Sequence, residues 1–200
     1  MTAIPFDVNN AKLRDAFFRE LLFDGLAGLQ DDSRPGWGKM SARQMVEHLV
    51  WAFELSTGQA QAACQFPEAQ REQLKAFLYH NRPTPREFQN PVLAAGLPPL
   101  RHASLPEAKA ALRVEVERFL RQAGDTPDAL HMHPVFGPIK VEEWARSHFK
   151  HAYHHLLQFG LIDETPEQMD VECSHAQDWS VRSSARAGTA SRFHIADTPL

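Results

Sequence analysis

The chain is poor in several things that would each announce a function. Its 200 residues contain two cysteines, Cys64 and Cys173, a pair so widely spaced that it gives no disulfide framework. No apolar run approaches the ~20 residues that cross a bilayer, and the first residues, MTAIPFDVNNAKLRD, show neither a charged nor an apolar targeting segment. The expected location is therefore the cytoplasm, with no membrane partner. Lys and Arg number 21 against 25 Asp and Glu, a formal charge of −4. They form no basic face, which argues against nucleic acid as a partner. Tyrosine occurs twice, histidine eleven times.

Hydrophobic residues make up 43% of the chain, enough for one core of ordinary size. From about Asn10 to Leu29, residues Leu13, Phe17, Phe18, Leu21, Leu22, Leu26 and Leu29 recur at three- and four-residue intervals and predict a first helix. The polar stretch QDDSRPGWGKM then turns the chain. Ser41 and Gln44 stand at capping-box spacing before Met45, His48, Ala52 and Leu55, predicting a second helix that ends near Gly58. Pro83, Pro85, Pro91, Pro98 and Pro99 exclude one long element between residues 63 and 103. A short helix at about Pro67 to Tyr79, in contact through Leu74, Phe77 and Leu78, and a segment crossing one end of the fold account for that region.

Ser104 and Glu107 open a third long helix with the stripe Leu105, Ala108, Leu112, Val116 and Phe119, and Gly124 is expected to stop it. DTPDALHMHPVFGPIK reads as a proline-punctuated link, and a fourth long helix runs from about Val141 to Phe159 before Gly160. Beyond Ile162 the chain is polar and without period, with isolated large residues such as Trp179. The expectation is an all-α four-helix bundle over residues 1–162, with a long crossing segment between its second and third helices. A C-terminal extension, residues 163–200, is expected to be extended or partly disordered.

Four of the eleven histidines fall in the fourth long helix, within HFKHAYHHLLQFG. At about 100° per residue, Trp144, His151, His155, Gln158 and Ile162 share one face, with His148 and His154 on its flanks. His151 and His155, at i and i+4, can serve one ion. His48, among Gln44, Met45, Ala52 and Leu55, puts one imidazole on the inward stripe of the second helix. Three neutral imidazoles from two facing helices satisfy the requirement for a divalent ion with open coordination positions. Taken singly, His48 also reads as a hydrogen-bonded core residue and the HxxxH pair as a solvated face, so packing and metal binding both stay open on the residues alone. Ala152 stands where an HExxH protease has its glutamate, which excludes that motif.

Two stretches, WGKMSARQMVEHLVWAF and HPVFGPIKVEEWARSHFKHAYHHLLQFG, resemble the signature regions of the DinB/YfiT-like superfamily, over about residues 8 to 162. The likeness is nearest to a subgroup carrying WGKM, QM and HL in the first and HP.FG, EEW and HxxxH with QFG in the second. The resemblance implies a four-helix bundle and a metal held by His48, His151 and His155, with Gln158 beside them. It departs at Lys140, where that subgroup usually has a hydroxyl residue able to cap the last helix. Characterised members include bacillithiol-using thiol S-transferases and a mycothiol-dependent maleylpyruvate isomerase, alongside members described only as metal-dependent hydrolases. The resemblance thus implies a divalent transition metal, Zn2+ or Ni2+, a low-molecular-weight thiol and a small-molecule electrophile. Hydrolysis is one alternative, and a non-catalytic bundle that binds a ligand or a partner, a homodimer included, is another.

The remaining candidates carry two readings each. Gln44, Trp144, His148 and Gln158 are candidates for supporting the ligands or lining a pocket, and His154 is expected at the surface or an interface. His131 and His133 could both face a site if their segment is extended, or belong to a plain loop. Cys173 and His175 could add a ligand from the tail. Cys64 reads as a packing residue, and Trp37, Trp51 and Trp144 as core or pocket wall. Arg43, Arg86, Arg101 and Lys150 could contact an anion or simply be solvated. Glu47 and Glu54 point away from the histidine stripe, so no catalytic residue is assigned.

Overall fold

A computed structural model describes residues 3–86, 96 and 98–163 of the chain. Part of the predicted crossing segment (87–95 and 97) and the tail with Cys173, His175 and Trp179 lie outside the described residues.

The first predicted helix is a continuous rod of three parts: α1 (Ala11–Ala16), a π-helical turn (Phe17–Leu21) and α2 (Leu22–Ala27). Asn10 caps it by accepting the Leu13 N–H. Phe17 and Phe18, neighbours in the π turn, are both buried in the core. Helix α3 (Ala42–Ser56) begins as its capping spacing predicts: Ser41 Oγ accepts the Gln44 N–H and Gln44 Oε1 accepts the Ser41 N–H. Met45, Val46, Leu49, Val50 and Phe53 are all buried, so α3 is an interior element.

Helix α4 (Glu68–Lys75) continues into a 3-10 turn (Ala76–Leu78), with Leu78 buried and Leu74 and Phe77 packed on the core. Helix α5 (Leu105–Asp125) buries the whole predicted stripe. Ser104 accepts the Glu107 N–H, while the Glu107 carboxylate reaches the Ala103 N–H, so the capping box is offset by one residue. Gly124 does not stop α5. The helix passes through it to Asp125 because Gly124 keeps ordinary helical geometry, and its end is set at Thr126, whose N–H returns to Gln122.

The link expected to be irregular contains a departure from the all-α expectation. Strands β1 (Leu130–His133) and β2 (Gly137–Lys140) form an antiparallel hairpin in the register Leu130 with Lys140 and His133 with Gly137. Four residues per strand are too few to display a period of two, and Pro138 masked the second strand. Helix α6 (Val141–Gln158) follows directly. Its capping residue is Lys140, whose N–H is taken by Glu143 while its ammonium goes to Asp128, so the N-terminus is capped from one side only. Gly160, at φ +60, closes the helix end.

Helix α3 packs most extensively on α5 and also meets α6, while α6 touches α1, α2 and α5. Edge-to-face rings tie the elements together, as in Phe18 with Phe53 at 6.0 Å and Phe53 with Phe119 at 5.7 Å. The fold is predominantly helical with one small sheet, and among the described residues no helix is long and apolar enough to cross a membrane.

Candidate metal centre

The contact between α3 and α6 brings three histidines together. His48 Nε2 lies 2.9 Å from His151 Nε2, which lies 3.0 Å from His155 Nε2. One nitrogen from each ring falls within 4.8 Å of the others. The i, i+4 spacing stacks the two α6 rings one turn apart, and His48 enters edge-on from α3, at 80° to His151. His48 is 7% and His155 5% exposed, whereas His151 is half-buried and marks the open side. Trp51, one turn on from His48, stacks beside it at 6.1 Å.

The protons of this cluster follow from its neighbours. Gln158 Nε2 donates to the Trp37 carbonyl at 2.8 Å, which turns Oε1 of the same amide toward His155 Nδ1 at 2.7 Å. An amide oxygen only accepts, so His155 Nδ1 carries the proton and His155 Nε2 presents a bare lone pair. Burial is the main cause that lowers all three pKa values, with His48 brought to about 4 and His154 adding repulsion there. For His151 and His155, burial comes first and charge repulsion among the histidines second. Three neutral imidazoles with converging nitrogens are the ligating form.

These residues fit a divalent ion. His151 Nε2 can donate at most one proton, so it cannot satisfy both neighbours at once, and a cation resolves the mismatch for all three. Bonds of ~2.0–2.1 Å to a tetrahedral ion place nitrogens about 3.3 Å apart, so the two close pairs need to open by only a few tenths of an ångström. Imidazole nitrogens suit a divalent transition metal, and three of them would leave coordination positions free.

Other candidates have other work. Gln44 gives its amide oxygen to the α3 cap. Trp144 is buried, donates to the His131 carbonyl, stacks on His148 and meets the His133 ring at a tilt. His148, 2% exposed, stacks on Phe53 at 3.8 Å; it is a core residue, not one at the edge of the helices. His148 with Ser56 and His133 with Ser147 look like nucleophile and base pairs, and the hydrogen bonds reverse that. Ser56 Oγ donates to the Phe53 carbonyl and so accepts from His148 Nε2. His133 Nδ1 accepts the Val135 and Phe136 N–H groups, which leaves the proton on Nε2 facing Ser147. Neither imidazole can take a serine proton.

His131 and His133 do lie in an extended strand, yet His131 sits against Gly58 and His133 in the hairpin turn, and neither joins the triad. His154 is 9% exposed and not at the surface, because its Nδ1 reaches the Thr84 carbonyl of a segment laid over α6. Lys150 is likewise not solvated: at 1% exposed, its ammonium donates to the His80 and Arg82 carbonyls and lies over Phe77. Arg43 binds the Ala103 carbonyl, Arg101 grips Glu54, and Arg86 stacks on Trp37. Cys64 packs its thiol toward the Phe66 and Val135 carbonyls. Glu47 is buried but faces the start of α5, accepting the Arg101 and His102 N–H groups. Sequence reasoning missed the loop residues that orient Gln158; their only trace was the WGKM stretch itself.

A helical protein with an interhelical three-histidine cluster is thus the class that fold and site define. The sequence profile described as the DinB superfamily matches residues 19–159, and the chain belongs to that superfamily. No curated protein and no solved structure matches it.

Proposed function

We propose that His48, His151 and His155 hold one divalent transition metal, Zn2+ or Ni2+, and that the protein is a cytoplasmic metal-dependent transferase joining a low-molecular-weight thiol to a small electrophile. The observation that carries the reading is the convergence of three Nε2 atoms, one with its lone pair exposed by Gln158. Membership of the DinB superfamily supports it, and with it the view of α1 with α2, α3, α5 and α6 as the four helices of that family's bundle. The metal would favour the thiolate form of the cofactor, the nucleophilic one.

The chain's own residues contribute position and dryness. His151 stands on the open side, where a ligand would approach, and Trp51 walls the His48 side. Transfer is favoured over hydrolysis by the acids of α3. Glu47 is committed to two backbone N–H groups and Glu54 to Arg101, so neither serves as a base beside the histidines.

Metal content by mass spectrometry on protein purified without an affinity tag tests the centre. About one ion per chain is expected in the wild type, with loss in His151→Ala and in His155→Ala. Turnover of an electrophile that requires added thiol supports the transferase; thiol-independent hydrolysis replaces it with a hydrolase. A bound metal without either turnover leaves a ligand- or partner-binding protein.

A further inference from the structure

The WGKM stretch lies in the turn between α2 and α3. That turn meets Gln158, the last residue of α6, at three points, and the Trp37 ring also meets the His154 ring of α6 edge-on at 5.7 Å. The Gly36 N–H donates to the Gln158 backbone carbonyl at 2.7 Å. The Trp37 carbonyl accepts from the Gln158 side chain. Gly38, at φ +79, passes so close that a Cβ there would stand 2.6 Å from Gln158 Nε2. The equivalent atom at Gly36 would meet only the Gln158 carbonyl, at an ordinary 3.5 Å. Gly38 is therefore the position whose missing side chain makes room for the amide.

The orientation of that amide decides the proton on His155. With Nε2 turned to Trp37, Oε1 faces His155 Nδ1 and requires a proton there. Turned the other way, the amide would offer N–H donors to Nδ1, and the proton would move to Nε2, where it blocks a ligand bond. Resting on the three-histidine reading above, we propose that the Gly36–Gly38 turn sets the tautomer of His155, with Gly38 the positioning residue that keeps the Gln158 amide in its ligating orientation. The turn touches no ligand itself. It acts through one hydrogen-bonded chain: Trp37 carbonyl, Gln158 amide, His155 imidazole.

Four variants and two readouts test this. Gly38→Ala and Gln158→Leu are expected to weaken Zn2+ binding, read by chelator competition, about 10- to 100-fold, the usual effect of losing an orienting partner. Gln158→Glu, which still offers an acceptor to Nδ1 but loses the donor to the Trp37 carbonyl, is expected to lose less affinity than Gln158→Leu. Gly160→Ala supplies the strain control, since Gly160 also has positive φ, +60, but a Cβ there meets nothing within 4 Å; it too should bind nearly as the wild type. In metal-free protein, 15N NMR should find His155 protonated at Nδ1 in the wild type and shifted toward Nε2 in Gly38→Ala. Equal loss of affinity in Gly38→Ala and Gly160→Ala, or a wild-type proton on Nε2, overturns the proposal. Absence of metal binding by the wild type would instead defeat the metal reading, and the tautomer measurement still decides this one.

Discussion

At the scale of single residues, the molecule turns on where imidazoles are buried and what each is bonded to. His133 is the clearest case outside the triad. Burial brings its pKa down from 6.5 to about 3, and two backbone N–H groups hold its Nδ1. A folded state that keeps this ring neutral binds fewer protons than the unfolded chain between those two values. Its contribution is therefore complete above pH ~6.5 and lost as pH falls toward ~3. His133→Phe keeps the ring contacts with Phe136 and Trp144 but orphans the Val135 and Phe136 N–H groups. Urea unfolding should show a loss of about 2 kcal/mol at pH 7 and a shallower decline of stability from pH 6.5 to 4 than in the wild type. An unchanged pH slope would mean that His133 does not titrate with folding. The triad residues were legible in the sequence because helical geometry alone decides that positions 151 and 155 share a face. His154 and Lys150 were not, since their burial comes from a covering segment that has no period to read.

At the scale of elements, that covering segment is held by one face of α6. Lys150 and His154, four residues apart, take the carbonyls of His80, Arg82 and Thr84, alternate positions along the segment. The contact is polar on one side and closed by Phe77 on the other. Lys150→Met should release the segment while leaving the helices packed. Hydrogen exchange read by mass spectrometry is expected to speed up by about tenfold over residues 79–86, because two hydrogen bonds from Lys150 hold them, and to be unchanged over α5. Equal protection in both proteins would show that the remaining bonds, from His154 to Thr84, from Asn9 to Tyr79 and from Asn81 to Phe6 and Val8, suffice without Lys150. The helices were legible where a cap and a stripe coincide, as at Ser41 and Ser104. The hairpin and the π turn were not, because four residues cannot show a strand period and one inserted residue does not disturb a three-to-four repeat.

At the scale of the whole molecule, the triad links α3 to α6, elements far apart in sequence whose mutual contact is smaller than that of α3 with α5. A metal bound there crosslinks the core, and only the folded chain offers three converging nitrogens. Binding must then stabilise folding by mass action, by about 2.7 kcal/mol when free metal is at 100 times its dissociation constant. For a domain of this size 1 kcal/mol moves the melting temperature by roughly 2–4 °C, so Zn2+ should raise it by roughly 5–11 °C. His151→Ala should abolish the rise without lowering the metal-free melting temperature by more than a few degrees, since His151 is the half-buried member of the triad. His48→Ala should abolish it too, but at a larger cost to the metal-free protein, because His48 is packed against Trp51 inside α3's buried face. A rise that persists in either variant would place the stabilising ion elsewhere and detach the histidine cluster from metal binding.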